Sequence, residues 1–372
     1  MPIKICHITT VHPRCDVRIF HKECKSLSDR YEVHLIVADG KGDELADGIH
    51  IHDIGKPQGR TDRILHSPKR ALETALEIPA DVYHFHDPEL LPVGKKIAKR
   101  GKTVIYDSHE DLPRQILTKP WIPKYLRKPV SKLVEVAENS YVRKMSAIIA
   151  ATPHIQRRFR QVTTKPVECV CNYTVVSEIT ASKDWGKKER AVCYVGGIFV
   201  ERGIWEMLRA VSKSDTTLKL AGKFSPESLQ SDVEQSELWK MVDYQGFIGR
   251  AEINEMLAQS MAGLLLLHPM PSYVESLPIK LFEYMSAGIP VVCSDFPLWR
   301  EIVEKHGCGV CVNPFDADAV SQAIQKIVNN VEYASQMGRN GRNAVEKQYN
   351  WDSQAKALIV FYESLLEQRN TR

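Results

Sequence analysis

The chain has 372 residues, of which 43% are hydrophobic and 26% charged, and its formal net charge is +4. That length suits two domains with separate cores, and the composition excludes a disordered or fibrous protein. No stretch of about 18 apolar residues is present, so no transmembrane helix is expected.

Met-Pro-Ile-Lys-Ile-Cys-His-Ile opens the chain as a strand, not as a charged segment leading into a long apolar one. A secretory leader is therefore not expected, and the reading is cytoplasmic. The nine cysteines are an odd number without framework spacing, and Cys6, Cys193 and Cys293 sit inside apolar runs as reduced thiols do.

Short Val/Ile-rich runs then alternate with helical patterns. In the first half, strands are predicted at 3–8, 32–37, 49–54, 82–85, 103–106, 147–151 and 167–170, with helices over 18–28 and 130–144. A second series follows at 192–195, 218–221, 244–247, 263–267, 291–294 and 309–312. Its helices are predicted near 204–211, 251–259, 277–286 and 317–331. Strand–helix alternation implies parallel sheets with right-handed crossovers. Residues 173–190 are polar and poorly periodic and read as the linker between the two series. The expected fold is α/β: two doubly wound, Rossmann-like domains facing across a cleft, with ligands beyond the carboxyl ends of the strands.

The segment from Lys95 to Lys165 holds 17 basic against five acidic residues, a net of +12. A solvated face explains such a run, and so does docking on an anionic membrane. No nucleic-acid-binding motif accompanies it.

Two His-rich segments close predicted strands in the first half: His84-Phe-His86-Asp87-Pro-Glu and Tyr106-Asp107-Ser-His109-Glu110-Asp111. A metal held by His86, Asp87, His109 and Glu110 matches no zinc spacing, and substrate hydrogen bonding is the preferred reading, with no metal expected. Cys169-x-Cys171 and Cys308-x-x-Cys311 lack partner ligands and read as ordinary thiols.

In the second half, Tyr194-Val-Gly196-Gly197-Ile-Phe-Val-Glu-Arg202-Gly203 places two glycines after a strand and opens a helix. Glycines let backbone amides approach a phosphate, and Arg202 can grip it. The segment fits neither Gly-x-Gly-x-x-Gly nor a P-loop. Further on, Glu275-Ser276-Leu277-Pro278-Ile-Lys280-Leu-Phe-Glu283 leads through Tyr-Met-Ser-Ala-Gly288-Ile-Pro290 into a Val-rich strand. Pro278 suits a first helical turn with Ser276 or Glu275 as cap, and Gly288 suits its end. Glu275 is then expected at the helix entrance and Glu283 inside the helix, with free N–H groups near 276–279 available to an anion. Spacing alone equally allows a capping acid and a surface acid on a packing helix.

Taken together, these segments resemble the retaining glycosyltransferases of family 4, which have the GT-B fold. Glu275 to Glu283 is similar to the family's Glu-x7-Glu element, and Tyr194–Gly203 resembles its donor phosphate loop. Cys171-Asn172 resembles the end of the first domain, and Asn350-Trp351 the point where the chain crosses back to it. The polysaccharide-assembly branch is resembled by His12-Pro-Arg-x-Asp16-x-Arg18-Ile-Phe-His, His86-Asp87-Pro and Tyr106-Asp-Ser-His109-Glu110. The resemblance implies domains at 1–172 plus 351–372 (acceptor side) and 173–350 (nucleotide-sugar side).

It also implies roles. Glu283 would bind the ribose, and Glu275 the transferred sugar, with Gly196, Gly197, Ser276 and Leu277 completing the donor site. Arg202 and Lys280 would neutralise the leaving diphosphate, while His109 would lie beside the reacting sugar, with His109, Glu275 and Arg202 as the catalytic set. Asp16, Arg18, His86, Asp87 and Glu110 would line the acceptor side. The family needs no metal or cofactor, and the acceptor hydroxyl is taken to attack the face that the diphosphate leaves. The family often has an arginine where this chain has Gly197; Lys280 or Arg18 would replace that cation. The implied reaction is transfer from a nucleotide-sugar, UDP-sugar ahead of GDP-sugar, to a lipid-linked or glycan acceptor at the inner face of the membrane, with the basic segment as the membrane contact. A nucleotide-sugar epimerase on the same architecture is the alternative, and a non-catalytic sugar-binding protein a third reading.

Overall fold

The computed structural model describes residues 2–119, 121–181 and 184–370. Ser182 and Lys183 of the expected linker, Pro120 of the basic segment, and the last two residues of the expected 351–372 helix lie outside the described residues. The chain divides into two compact units, 1–172 with 352–372, and 173–351.

The first unit holds eight strands: β1 (Lys4–Ile8), β2 (Glu32–Val37), β3 (Glu44–Ala46), β4 (Ile49–Asp53), β5 (Val82–Phe85), β6 (Thr103–Ser108), β7 (Ala147–Ala150) and β8 (Val167–Cys169). Their order is β3-β4-β2-β1-β5-β6-β7-β8. All neighbours pair in parallel except β3 and β4. The second unit holds β9 (Ala191–Val195), β10 (Thr217–Ala221), β11 (Val242–Tyr244), β12 (Ala262–Leu265), β13 (Val291–Ser294) and β14 (Gly309–Val312). Its order, β11-β10-β9-β12-β13-β14, is parallel throughout.

Helices on both faces of each sheet explain why the central strands are apolar at every position instead of alternating: Ala147, Ile148, Ile149 and Ala150 are all buried. In both sheets the strand order reverses beside the first strand of the unit, between β1 and β5 and between β9 and β12. A crevice opens at such a switch point, beyond the carboxyl ends of the strands.

Several elements depart from the sequence expectation; the 130–144 helix, for one, already begins at Lys124. The 18–28 helix begins as a π-helical turn, Ile19–Cys24, before one α-turn at Lys25–Ser28. Its i→i−5 bonds, His21 N–H to Asp16 O and Glu23 N–H to Arg18 O, widen the turn and bury Lys22 and Glu23. β3 was not anticipated; it folds back on β4 through Asp47-Gly48, both at positive φ, as an Asp-Gly hairpin turn requires. β11 lies two residues earlier than 244–247, because Gly246 turns the chain at φ +68° and leaves Phe247 exposed. The 277–286 helix starts at Ile279, since Pro278 holds an extended ψ of 130° and the residue before proline disfavours helix.

Candidate active site

In the second unit the chain leaves β9 at the switch point and turns immediately at Gly196 (φ +138°) and Gly197. A single 3-10 turn, Val200–Arg202, then delivers the chain to Gly203 (φ +81°), from which helix Ile204–Ser214 starts. A Cβ at residue 203 would sit 2.0 Å from the Leu266 carbonyl oxygen, so only glycine lets this helix start so close to β12.

Two cations converge on the Gly-Gly turn. Arg202 lies with its Nη1 3.3 Å from the Gly197 carbonyl and its guanidinium 4.9 Å from the Phe199 ring centroid. Lys280 arrives from helix Ile279–Ala287 and lies against Gly196 so closely that a Cβ there would be 2.5 Å from its Nζ. The same ammonium is 5.6 Å from the Tyr194 ring centroid, and Tyr194 donates its own O–H to the Gly197 carbonyl at 2.9 Å. Burial and the neighbouring Arg202 pull the Lys280 amine down to about 8, against an upward pull from Glu283. Two half-buried positive groups brought together at a glycine turn form a site that gains from a bound anion.

Glu283 stands almost one turn after Lys280 and accepts from Arg250 Nη1 at 2.9 Å; Arg250 also donates to Glu178 at 2.9 Å. Glu275 lies, exposed, just after the short helical turn Pro271–Val274. The expected cap of the 279–287 helix differs: Pro278 occupies that position without a side-chain bond, and the Ser276 hydroxyl and N–H both turn back to Tyr273 O. Trp299 Nε1 fixes the Ser276 carbonyl at 2.7 Å. Among the described residues, Leu277, Ile279 and Lys280 donate no backbone hydrogen bond; Ser276, expected to share in that row, does.

The first unit assembles a buried polar cluster at its own switch point. His7 on β1 and His84 on β5 are register partners, and His86 follows β5. His7 Nδ1 is 2.9 Å from His86 Nε2, and His86 Nδ1 is 3.1 Å from His109 Nε2. His109 in turn lies 3.1 Å from Asp107 Oδ2. Burial pushes the imidazoles of His7, His84 and His86 below their ordinary value. Burial, with Asp107 beside it, pushes Glu23 well above the carboxylate range.

Of the acceptor-side expectations, Asp16 caps the π-helical turn through the N–H groups of Arg18 and Ile19. Burial pushes its carboxyl up, but His12 and these N–H donors outweigh that and hold it well below the usual range. Asp87 is 2% exposed and accepts from Thr9 and from the N–H groups of Thr10 and Val11, shaping the loop after β1. Glu110 is exposed and does not join the cluster. Arg18, offered as an acceptor-side residue and as a substitute phosphate cation, is 5% exposed; its guanidinium is spent on Asp107 (3.0 Å), Glu23 (3.0 Å) and the Val170 carbonyl (2.9 Å). It positions Asp107 and cannot reach an open site. The cations at this turn are Arg202, at the Gly197 carbonyl, and Lys280, against Gly196.

His7, Glu23, Arg250 and Tyr362 were not singled out from the sequence, and His84 and Tyr194 were named only within their motifs. The spacing of His84 and His86, two apart on a strand, puts both on one face and was a legible signal. Glu23 and Arg250 carried none.

Two family models match the chain: "Glycosyltransferase Family 4" over residues 17–174 and "Glycosyl transferases group 1" over residues 175–344. An MMP alpha-(1->4)-mannosyltransferase from Mycolicibacterium hassiacum is 21% identical over 296 residues, 76% of this chain and 70% of the relative. The lipopolysaccharide glucosyltransferase WaaG of Escherichia coli is 24% identical over 181 residues, 47% of this chain and 46% of the relative, so this match spans under half the relative's length. Among solved structures, Anabaena Alr3699/HepE in complex with UDP-glucose superposes with a TM-score of 0.72 at 15% identity, covering 97% of this chain and all of that one. With both halves matched in order and each half folded as a doubly wound parallel sheet, the chain belongs to the family 4 glycosyltransferases of GT-B fold.

Proposed function

We propose that this glycosyltransferase is retaining and metal-independent, and moves a sugar from a nucleotide-sugar, UDP-sugar first, to a lipid-linked or glycan acceptor in cell-surface polysaccharide synthesis. One observation carries the reading: Arg202 and Lys280 converge on the Gly196–Gly197 turn at the switch point of the second unit, one turn ahead of Glu283. In this reading the turn and the two cations take the diphosphate, so the leaving group is neutralised without a metal. Glu283 takes the ribose and Glu275 the transferred sugar. The acceptor hydroxyl attacks on the face the diphosphate leaves, and a phosphate oxygen accepts its proton. The complex of UDP-glucose with HepE supports a UDP-sugar, and the lipopolysaccharide substrate named for WaaG supports a lipid-linked acceptor. In this reading His109 of the first unit meets the acceptor; Asp107 and His86, each 3.1 Å from its Nε2, support that role by fixing the ring. The test is product analysis with UDP- and GDP-sugars, with and without acceptor. Acceptor-dependent release of nucleoside diphosphate and an α-linked product from an α-linked donor are expected. Isomerised nucleotide-sugar without transfer would instead make the protein an epimerase.

Glu283→Ala should weaken nucleoside diphosphate binding by roughly 10- to 100-fold, the worth of charged hydrogen bonds at about 1.5–3 kcal/mol. Glu178→Ala, which removes only the other partner of Arg250, should leave affinity within about 3-fold. Calorimetry distinguishes the two; equal losses would refute the ribose role.

The inner face of the cytoplasmic membrane is the proposed location. No helix among the described residues is long and apolar enough to cross a membrane. On helix Lys124–Val142, Tyr125, Leu133 and Val136 form an exposed apolar stripe, 79%, 69% and 55% accessible, beside Lys124, Lys128 and Lys132. Exposed Trp121 stands just before it. That pattern suits a helix lying in the headgroup region of an anionic bilayer. Reversing the charges of Lys124, Arg127 and Lys128 should abolish flotation with phosphatidylglycerol vesicles at low salt. Unchanged flotation would reduce the segment to a solvated face.

A further inference from the structure

We infer that His7, His84, His86 and Glu23 form a closed binding site for one divalent transition-metal ion, with zinc the best fit. The four side chains are fully buried, and one ligand atom from each lies within 4.8 Å of all the others. They come from three separate elements: β1, the π-helical turn, and β5 with the residue that follows it.

The unmet bonding points to an occupant. His84 Nε2 and both carboxylate oxygens of Glu23 are buried without a hydrogen-bond partner among the described residues. Glu23 has an ion pair with Arg18, at 3.0 Å, and a longer contact with His86 Nδ1, at 3.9 Å. Leaving such atoms unbonded out of water costs about 1–3 kcal/mol each. A chain of neutral imidazoles satisfies the His7–His86 and His86–His109 contacts, but His84 Nε2 has only Asp107 Oδ2 at 3.7 Å and Glu23 Oε2 only His86 Nδ1 at 3.9 Å, both beyond hydrogen-bond length.

Around these ligands stands a second layer that orients them. The Tyr362 hydroxyl is 2.7 Å from His84 Nδ1 and 3.4 Å from His7 Nε2, leaving the opposite nitrogen of each ring for the ion. Asp107 and Arg18 stand behind His86 and Glu23, at 3.4 and 3.0 Å. Histidines held at their second nitrogen, with a carboxylate tied by a further hydrogen-bonding group, are how proteins fix metal ligands. Three imidazoles and one carboxylate are ligand types that zinc takes, and four of them fill a tetrahedral site without an open position. Bonds of about 2.0–2.1 Å place tetrahedral ligand atoms about 3.3 Å apart, so the widest-set atoms, up to 4.8 Å apart, must close by up to about 1.5 Å. The ion would tie β1, β5 and the π-helical turn together at the switch point, and is separate from the diphosphate chemistry of the second unit.

The experiment uses full-length protein stripped with chelator and titrated with cobalt(II), then zinc, with metal content measured after gel filtration. One tightly held equivalent is expected, with the visible bands of a tetrahedral nitrogen–oxygen site, no thiolate-to-cobalt charge transfer, and a raised melting temperature on zinc binding. His84→Gln and Glu23→Gln should lose the equivalent, while His52→Gln, in the separate pair with His34, should keep it. Absence of stoichiometric uptake overturns the site. So does a thiolate band, which would report the close Cys169–Cys171 or Cys293–Cys311 thiols, or loss in His52→Gln. Should the cluster variants fail to fold, X-ray absorption on zinc-loaded wild type decides: three imidazoles and one oxygen support the site, and sulfur or fewer imidazoles overturn it.

Discussion

Lys280→Ala should slow sugar transfer about 10²-fold at saturating donor, a loss of about 2.7 kcal/mol of transition-state stabilisation. The ammonium rests against Gly196 and over the Tyr194 ring, with Arg202 as a like charge nearby. Charge on a leaving diphosphate rises in the transition state, so a preorganised cation there acts on kcat more than on KM. Arg202→Ala should lose a similar factor. The double variant should lose more than the product of the two, because removing either cation relieves the like-charge repulsion on the one that remains. The lowered amine also sets a pH dependence. The anion favours charged Lys280, so donor affinity is full below the free-state value of about 8 and falls as pH rises through it. Donor binding should take up protons near pH 8, and Lys280→Ala should abolish that uptake in calorimetry performed in buffers of different ionisation enthalpy. Wild-type kcat in the variant would remove Lys280 from the leaving-group role.

That cation illustrates what the sequence could and could not say. The Glu275–Glu283 spacing and the glycines at 196 and 197 were visible because each is a local pattern with a local cause: a helix start and a tight turn. Lys280 was visible as a residue, but its contact with Gly196 joins positions 84 apart, and only the packing of helix Ile279–Ala287 beside β9 reveals it. The same limit applies in the first unit. Val82–Phe85 reads directly as a buried strand, whereas the meeting of His7 with His84 and His86 depends on β1 and β5 being neighbours, which is a topological fact. Glu23 was least legible of all. A regular α-turn was the sequence expectation there, and a π-helical turn is what carries its carboxyl inward. Arg18 failed for the converse reason: a cation in a motif looks available until its partners, Asp107 and Glu23, are placed.

Gly222→Ala should destabilise the second unit by about 3 kcal/mol or more and take donor binding with it. Gly222 follows β10 at φ +139°, outside the range an L side chain adopts without strain, which alone costs about 1–3 kcal/mol. A Cβ there would also lie 1.9 Å from the Gly196 carbonyl oxygen, a contact no rotamer relieves because both partners are backbone. The two glycines thus let the loops after β9 and β10 touch, and Gly196 N–H completes the contact by donating to Ala221 O at 2.8 Å. Pushing Gly196 away moves the floor on which Lys280 rests. The control is Gly246→Ala, which shares the positive φ (+68°) but meets nothing within 4 Å, and whose carbonyl accepts from Gly222 N–H at 2.7 Å. It should cost roughly 1 kcal/mol from strain alone and leave donor affinity unchanged. Urea denaturation and nucleotide calorimetry on both variants separate strain from displacement. If Gly222→Ala proves no worse than Gly246→Ala, and binds donor normally, the close approach of the two loops is not what shapes the phosphate turn.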